Sequence, residues 1–281
     1  GKTTTAAEIT MHLQLAGLRV LAIDLDVQAN LTQYMGYEAD LTSKELESYG
    51  LNSDALVGMT FAHVICPYLG RSMSESFGTL IKMPFGPNGP HLIPADTNLG
   101  DMEYALSTSK GPREMALIRL LNEAKAGNIP GFDTSNYDVI VFDCPPNVSM
   151  TSTVALAAAD LVVAPVRLDS FGVKGLARVI DELRLLKNAY GDAIRSELVI
   201  LATHFAPQLA RIQRMHQALQ QYEKQLAPIS ISLSEDFPKS LEQYIPLSLQ
   251  KPLCQASSEY KSFTDHLIKR LIAIEEKRAK Q

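Results

Sequence analysis

Three short stretches of the chain gather residues suited to holding phosphate and a cation. The first is the opening run Gly1-Lys2-Thr3-Thr4-Thr5, which passes directly into a helical pattern. The first turn of a helix offers unpaired N–H groups and the positive end of a dipole to an anion. Lys2 adds a mobile positive charge for outer phosphates, and the Thr3 hydroxyl can ligate magnesium. In the second stretch, Asp24-Leu25-Asp26-Val27-Gln28, two carboxylates lie two residues apart. Along an extended segment both point the same way, and paired carboxylates are costly without a magnesium ion or lysine nearby. The third, Asp143-Cys144-Pro145-Pro146, follows the most apolar run of the chain, residues 139–142. A carboxylate directly after such a strand is the Walker B arrangement, which holds magnesium through water. The prolines stiffen the segment that follows and remove two backbone donors. Taken singly, each stretch has a plainer reading as an exposed basic end or an aspartate capping a turn. In this order, the three read together as a nucleoside triphosphate site.

The elements that must position these residues are legible from hydrophobic patterning. Residues 19–23, 139–142, 161–164 and 198–201 are apolar at successive positions, as expected of strands buried on both faces of a parallel sheet. A shorter strand is expected at 91–94. Apolar stripes at helical spacing run through Ile9, Leu13 and Ala16, with Gly17 at the stop, and through Leu176, Val179, Ile180, Leu183 and Leu186. Two more run through Ile212, Met215, Leu219, Tyr222 and Leu226, predicting one helix over 209–226, and through Tyr260, Phe263, Leu267, Leu271 and Ile274, predicting a C-terminal helix over about 256–280. Alternation of strands and helices predicts an α/β fold with a doubly wound, mostly parallel sheet. Asp24 and Asp143 then sit at carboxyl ends of strands, where such sheets bind ligands. The expected organisation is a single nucleotide-binding P-loop domain over 1–281, with a variable, partly helical excursion at about 36–90. A phosphate loop must hang from a buried strand. None precedes Gly1, so the protein is expected to continue upstream, with the first strand of the fold lying there.

Composition narrows the classes further. The 281 residues are 46% hydrophobic and 20% charged, with a net charge of −5, so any nucleic-acid contact requires a local basic face. Cys66, Cys144 and Cys254 are widely spaced, which argues for a reducing compartment and against a disulfide framework or cysteine zinc site. Cys144 reads as a small buried residue rather than a nucleophile. The six histidines form no i,i+4 pair, and no apolar run is long enough for a membrane span. The expected location is the cytoplasm.

The stretches GKTTTAAE, RVLAIDLDVQANLT, LIPADTNLGDMEYAL, YDVIVFDCPPN and ADLVVAPVRLDSFGVKGLARVIDEL cover most of residues 1–205. Together they resemble the ParA/MinD family of deviant Walker P-loop ATPases, and within it the ParA-type partition proteins. DLDxQ followed by DCPP carries most of the specificity. The resemblance implies slow, partner-stimulated hydrolysis of ATP with Mg2+. It also implies a homodimer closed by ATP, non-specific DNA binding by that dimer, and a ParB-like or cargo adaptor protein, without a membrane. Carried over by motif, Gly1, Lys2, Thr3 and Thr4 hold phosphates, with Thr3 on magnesium. Asp26 positions the attacking water and stands near the metal, Asp143 supports magnesium through water, and Asp24 is the companion switch carboxylate. Lys2 and Asp26 are the catalytic pair. The family's signature lysine falls five residues before Lys2, ahead of Gly1. Beyond Thr203 the match weakens, and no adenine-contacting segment is assigned within 229–252.

Similar proteins place DNA-binding arginines on the helix expected over 209–226. There Arg211 and Arg214 lie off the apolar stripe and are the candidate DNA contacts. Lys269, Arg270, Lys277 and Arg278 form a weaker candidate, since Glu275 and Glu276 interrupt them. The resulting expectation is an ATP-dependent plasmid or chromosome partition ATPase, cytoplasmic and nucleoid-associated. Its rivals are a positioning ATPase for a protein cargo, and a nucleotide switch acting on protein or membrane without DNA.

Overall fold

The computed structural model describes residues 1–38, 45, 56–74 and 76–280. Six strands form two three-stranded sheets in which every named pairing is parallel. In the first, β1 (Val20–Asp24) lies between β2 (His91–Ile93) and β3 (Val139–Asp143). In the second, β5 (Glu197–Phe205) lies between β4 (Leu161–Arg167) and β6 (Leu226–Ser232). The two central strands are the most deeply buried. Every residue of β1 is buried, as are residues 199–203 of β5.

Helix α1 (Lys2–Leu15) links the sheets. Its Ile9 and Leu13 share one apolar cluster with Val20 of β1 and with Val199 and Leu201 of β5. The helix stops where the sequence marks it. Gly17, at φ +90°, lets its own N–H reach Gln14 O (2.9 Å) and the Leu18 N–H reach Leu13 O (3.2 Å). α2 (Asn30–Tyr34) follows the aspartate-rich turn, and α3 (Ala62–Tyr68) is the described helix of the excursion. Residues 39–44, 46–55 and 75 of that excursion lie outside the described residues. α4 (Gly100–Thr108), α5 (Ala116–Lys125) and α6 (Met150–Ala158) cover the first sheet through Met102, Leu106, Leu117, Leu120 and Val154. α7 (Ser170–Tyr190) and α8 (Ala210–Ala218) cover one face of the second through Leu176 and Ile212. α9 (Asp236–Glu242) and α10 (Leu247–Gln250) precede α11 (Gln255–Ala279). Tyr260, Phe263 and Leu267 of α11 close the α1 cluster from the other side.

Among the described residues no ladder joins β3 to β4. Four of the five β3 residues are only half-buried, although residues 139–142 are the most apolar run in the sequence. One expected helix is corrected. The stripe from Ile212 to Leu226 does not continue as a single helix: α8 ends at Ala218, a short 3-10 turn covers Leu219–Tyr222, and Leu226 opens β6. Leu226 pairs with Ile200, and Ile200 N–H donates to Gln225 O at 2.8 Å. Pairing along the open side of β5 outweighs a helical spacing that Leu226 satisfies only by coincidence.

Candidate functional site

The site is built at the carboxyl ends of β1 and β3, whose in-register pairing sets Asp24 beside Asp143. Leu25 N–H donates to Asp143 O at 2.9 Å, so the backbone ladder itself fixes the approach. The Asp24 carboxylate is fully buried and well partnered. One oxygen accepts from Thr32 N–H (2.9 Å) and the Thr32 hydroxyl (2.8 Å), and the other accepts from Asp26 N–H (3.1 Å). These bonds fold residues 24–32 back over the strand end and seat α2. Asp26, buried on the same turn, accepts from Gln28 N–H at 3.0 Å. Ala29 closes the turn in the left-handed region at φ 51°.

Asp143 is buried too, but its Oδ2 has no hydrogen-bond partner. Burial pushes both carboxyls upward from the usual range. For Asp143 the charge of Asp24 adds to this, while the nearby Thr3 hydroxyl and Lys2 ammonium pull the other way. Burial also lifts the Cys144 thiol, to about 12, so it stays protonated and unreactive.

The opening run meets this edge. Gly1 caps α1, with its carbonyl accepting from Thr5 N–H at 3.0 Å. A Cβ built on Gly1 meets nothing within 4 Å, so the approach to the helix N-terminus is open. Lys2 is exposed, and Thr3 and Thr4 are half-buried. Gly1, Lys2 and Thr3 thus converge with Asp24, Asp26 and Asp143, while Thr4 faces the cavity beside Gly1. Arg211 and Arg214 do not join them; both are exposed on α8.

Among the described residues, no three His, Cys, Asp or Glu side chains form a protein-only metal cage. A magnesium ion in a phosphate site does not require one, because it keeps several waters and takes ligands from the phosphates. The unpartnered Asp143 oxygen beside the Thr3 hydroxyl fits a hydrated divalent cation.

Residues beyond Thr203 contribute a part of the site that patterning left unassigned. A cavity of about 230 Å3 opens beside Gly1 and Thr4, walled by Thr203 and His204 of β5, by Ser232 at the end of β6, and by Phe237 and Pro238 of α9. His204 is held at φ 56°, a left-handed conformation that costs a bulky residue about 1–3 kcal/mol. Burial lowers its pKa, which keeps the ring neutral. The alternation Ile229-Ser230-Ile231-Ser232 was the available signal for this wall.

Buried hydrogen bonds tie the wall to the phosphate end. Glu8 of α1 is wholly buried, and its carboxylate accepts from Leu247 N–H (2.7 Å) and Ser248 N–H (3.1 Å). The Tyr34 hydroxyl of α2 lies 2.8 Å from the Ser240 hydroxyl of α9, and Thr5 of α1 lies 2.8 Å from the Tyr260 hydroxyl of α11.

The family described as an AAA domain matches residues 1–200. The cell division protein PomZ of Myxococcus xanthus is 25% identical, over 97% of this chain and 76% of its own length. The chromosome partitioning protein ParA of Caulobacter vibrioides is 26% identical, over 96% of this chain and 90% of its own. Among solved structures, the septum site-determining protein MinD of Pyrococcus horikoshii, complexed with Mg-ADP, superposes with a TM-score of 0.66 at 18% identity, covering 98% of this chain and 93% of that one.

Proposed function

Because the chain belongs to this AAA-domain family, as one of its ParA/MinD-type P-loop ATPases, we propose that it is an Mg-dependent partition ATPase. In this reading, its ATP-bound dimer holds DNA without sequence preference, and a ParB-like or adaptor protein releases it by stimulating slow hydrolysis. The observation that carries the reading is the convergence of the helix start at residues 1–3 with Asp24, Asp26 and Asp143 at one sheet edge.

This reading gives each residue a role that its surroundings support. The free N–H groups of the first turn of α1, with Lys2, bind and orient the phosphates. The Thr3 hydroxyl and, through water, Asp143 would hold magnesium, with Asp26 close by, and the ion would supply charge neutralisation at the phosphates. Asp26 sits on a turn pinned by its own bonds to Gln28 and Ala29, and orients the attacking water. Asp24 acts through Thr32 as a positioning residue that couples this turn to α2. The cavity beside Gly1 takes the base between Thr203, His204 and Phe237. Val27, Val148 and Phe171, all exposed, stand on segments next to the carboxylates or at the start of α7. They would be covered by a second copy across the nucleotides.

On this account the protein is cytoplasmic and nucleoid-associated, and no helix among the described residues is long and apolar enough to cross a membrane. Arg211 and Arg214 offer exposed cations for DNA phosphates. A second reading keeps the ATPase and replaces the DNA cargo with a protein one. It is supported by relatives named for cell division and septum placement. Co-sedimentation of the full chain with DNA in ATP, in ADP, and in ATP with Asp26→Ala tests the DNA-tethered switch that both readings share, since a protein-cargo ATPase would use the nucleoid as its track. Salt-sensitive binding that needs ATP and persists in the variant supports that switch. No DNA binding at low salt in any nucleotide overturns the partition reading and leaves a nucleotide switch acting on protein or membrane.

A further inference from the structure

On the second sheet, at the end opposite the nucleotide edge, lies an open groove of about 570 Å3 between α7, α11 and the start of β5. Four cations line it: Arg184 and Lys187 from α7, Lys224 from the turn before β6, and Arg270 from α11. The one carboxylate in the lining is Glu197. In a chain with a net charge of −5, this is a local reversal of sign. The ion pairs leave two of the four cations, Lys187 and Lys224, uncommitted. Arg270 binds Glu197 at 2.7 Å, and Lys277 reaches the same carboxylate at 3.1 Å. Arg184 meets Asp181 at 2.6 Å, with both side chains more than half exposed, where such a pair holds weakly. Among the described residues, neither Lys187 nor Lys224 has a carboxylate within salt-bridge reach; both are exposed. Lys187 also lies in the last turn of α7, where the helix dipole favours a cation.

We propose that this groove, rather than the exposed face of α8, is the principal seat of the DNA phosphate backbone. The proposal rests on the DNA reading above and names the surface that serves it. A polyanion approaching an acidic molecule is steered to the place where cations outnumber carboxylates. The side chains here are suited to phosphates rather than base edges. They comprise point charges on flexible stems and the amides of Asn188 and Gln225, drawn from separate segments, so they can follow a backbone without reading sequence. Position supports this too. Leu198, in the groove, and Thr203, in the nucleotide cavity, lie five residues apart on β5, or about 17 Å. DNA can therefore be held while the opposite edge is occupied by nucleotide and closed by a second copy.

The test is DNA binding by the full chain with a non-hydrolysable ATP analogue, using a duplex of arbitrary sequence across a salt series. Four proteins are compared: wild type, Lys187→Ala/Lys224→Ala, Lys187→Arg/Lys224→Arg, and Arg211→Ala/Arg214→Ala. Each phosphate contact contributes about 0.9 to the slope of log K against log salt. The alanine pair in the groove should flatten that slope by about 1.8 for each chain touching DNA and, with 1 M salt as reference, weaken binding about 60-fold per such chain at 0.1 M. The arginine pair should retain binding, and the α8 pair should lose less than the groove pair. Unchanged analogue binding in each variant shows that the fold is intact. If wild type binds DNA and the groove pair matches it, or the α8 pair loses more, the groove assignment is overturned while the DNA reading stands. If wild type binds no DNA at low salt but retains polyglutamate through Lys187 and Lys224, the groove serves an acidic protein partner, and both are overturned.

Discussion

Replacing Asp143 with asparagine removes one of two buried carboxyls set side by side across β1 and β3. In the wild type both resist ionisation, first because they are buried; the charge of Asp24 then adds to this for Asp143, and that of Asp26 for Asp24. A carboxyl whose pKa is higher folded than unfolded binds its proton more tightly in the folded state. Its stabilising contribution is therefore complete below the unfolded pKa and is lost as pH rises through the folded one. For Asp143 those limits are 3.8 and about 7, so the window runs from about pH 4 to pH 8. At 1.36 kcal/mol per unit, the loss across it is about 4 kcal/mol. The amide adds a cost of about 1–3 kcal/mol if it stays unsatisfied, but this shifts the whole curve without tilting it. Urea unfolding without nucleotide, from pH 4.5 to 8.5, should show the wild type losing stability with rising pH relative to Asp143→Asn by about 2–4 kcal/mol. Parallel curves for the two proteins would refute the claim that burial and the Asp24 charge hold the Asp143 carboxyl protonated.

Other variants probe the supports around it. Thr32→Val deletes the 2.8 Å bond to Asp24 and the acceptor for Ala95 N–H (3.0 Å), and should cost about 1–3 kcal/mol in urea unfolding. Gly172→Ala would place a Cβ 2.1 Å from Arg167 O, at the turn where Asp169 caps α7, and should lower the melting temperature with a cost of about 1–3 kcal/mol. Cys144, with its thiol near pKa 12, should resist iodoacetamide at pH 8 in the folded protein and react readily in urea.

The legible parts of this molecule are those in which local chemistry and tertiary placement agree. β1 and β5 are central strands with both ladders filled, and their apolar runs translate directly into burial. The Asp24, Asp26 and Asp143 constellation could be read because strand ends at one edge of a parallel sheet converge by construction. Gly17 marked the end of α1 because only a left-handed residue completes that cap. Less was visible where long-range pairing decides the outcome. Leu226 fits a helical stripe yet becomes the first residue of β6, because Ile200 offers it a ladder. The cavity wall at Phe237 and Pro238 belongs to α9, which Tyr34 anchors through Ser240 while Glu8 anchors α10, and no spacing within 229–252 records partners more than 200 residues away. The basic groove is assembled from α7, α11 and a turn, so its cations never appear as a run.

The central claim is that the start of α1 and the three aspartates form a magnesium-nucleotide site. Calorimetric titration of ATP with magnesium into the full chain, wild type beside Lys2→Ala, tests it most directly. The charge-assisted bond from Lys2 to phosphate is worth about 1.5–3 kcal/mol. The account therefore predicts one nucleotide bound per chain, with roughly 10- to 150-fold weaker affinity in Lys2→Ala. Equal affinity in the two proteins, or no binding by a wild type that unfolds cooperatively, would contradict it.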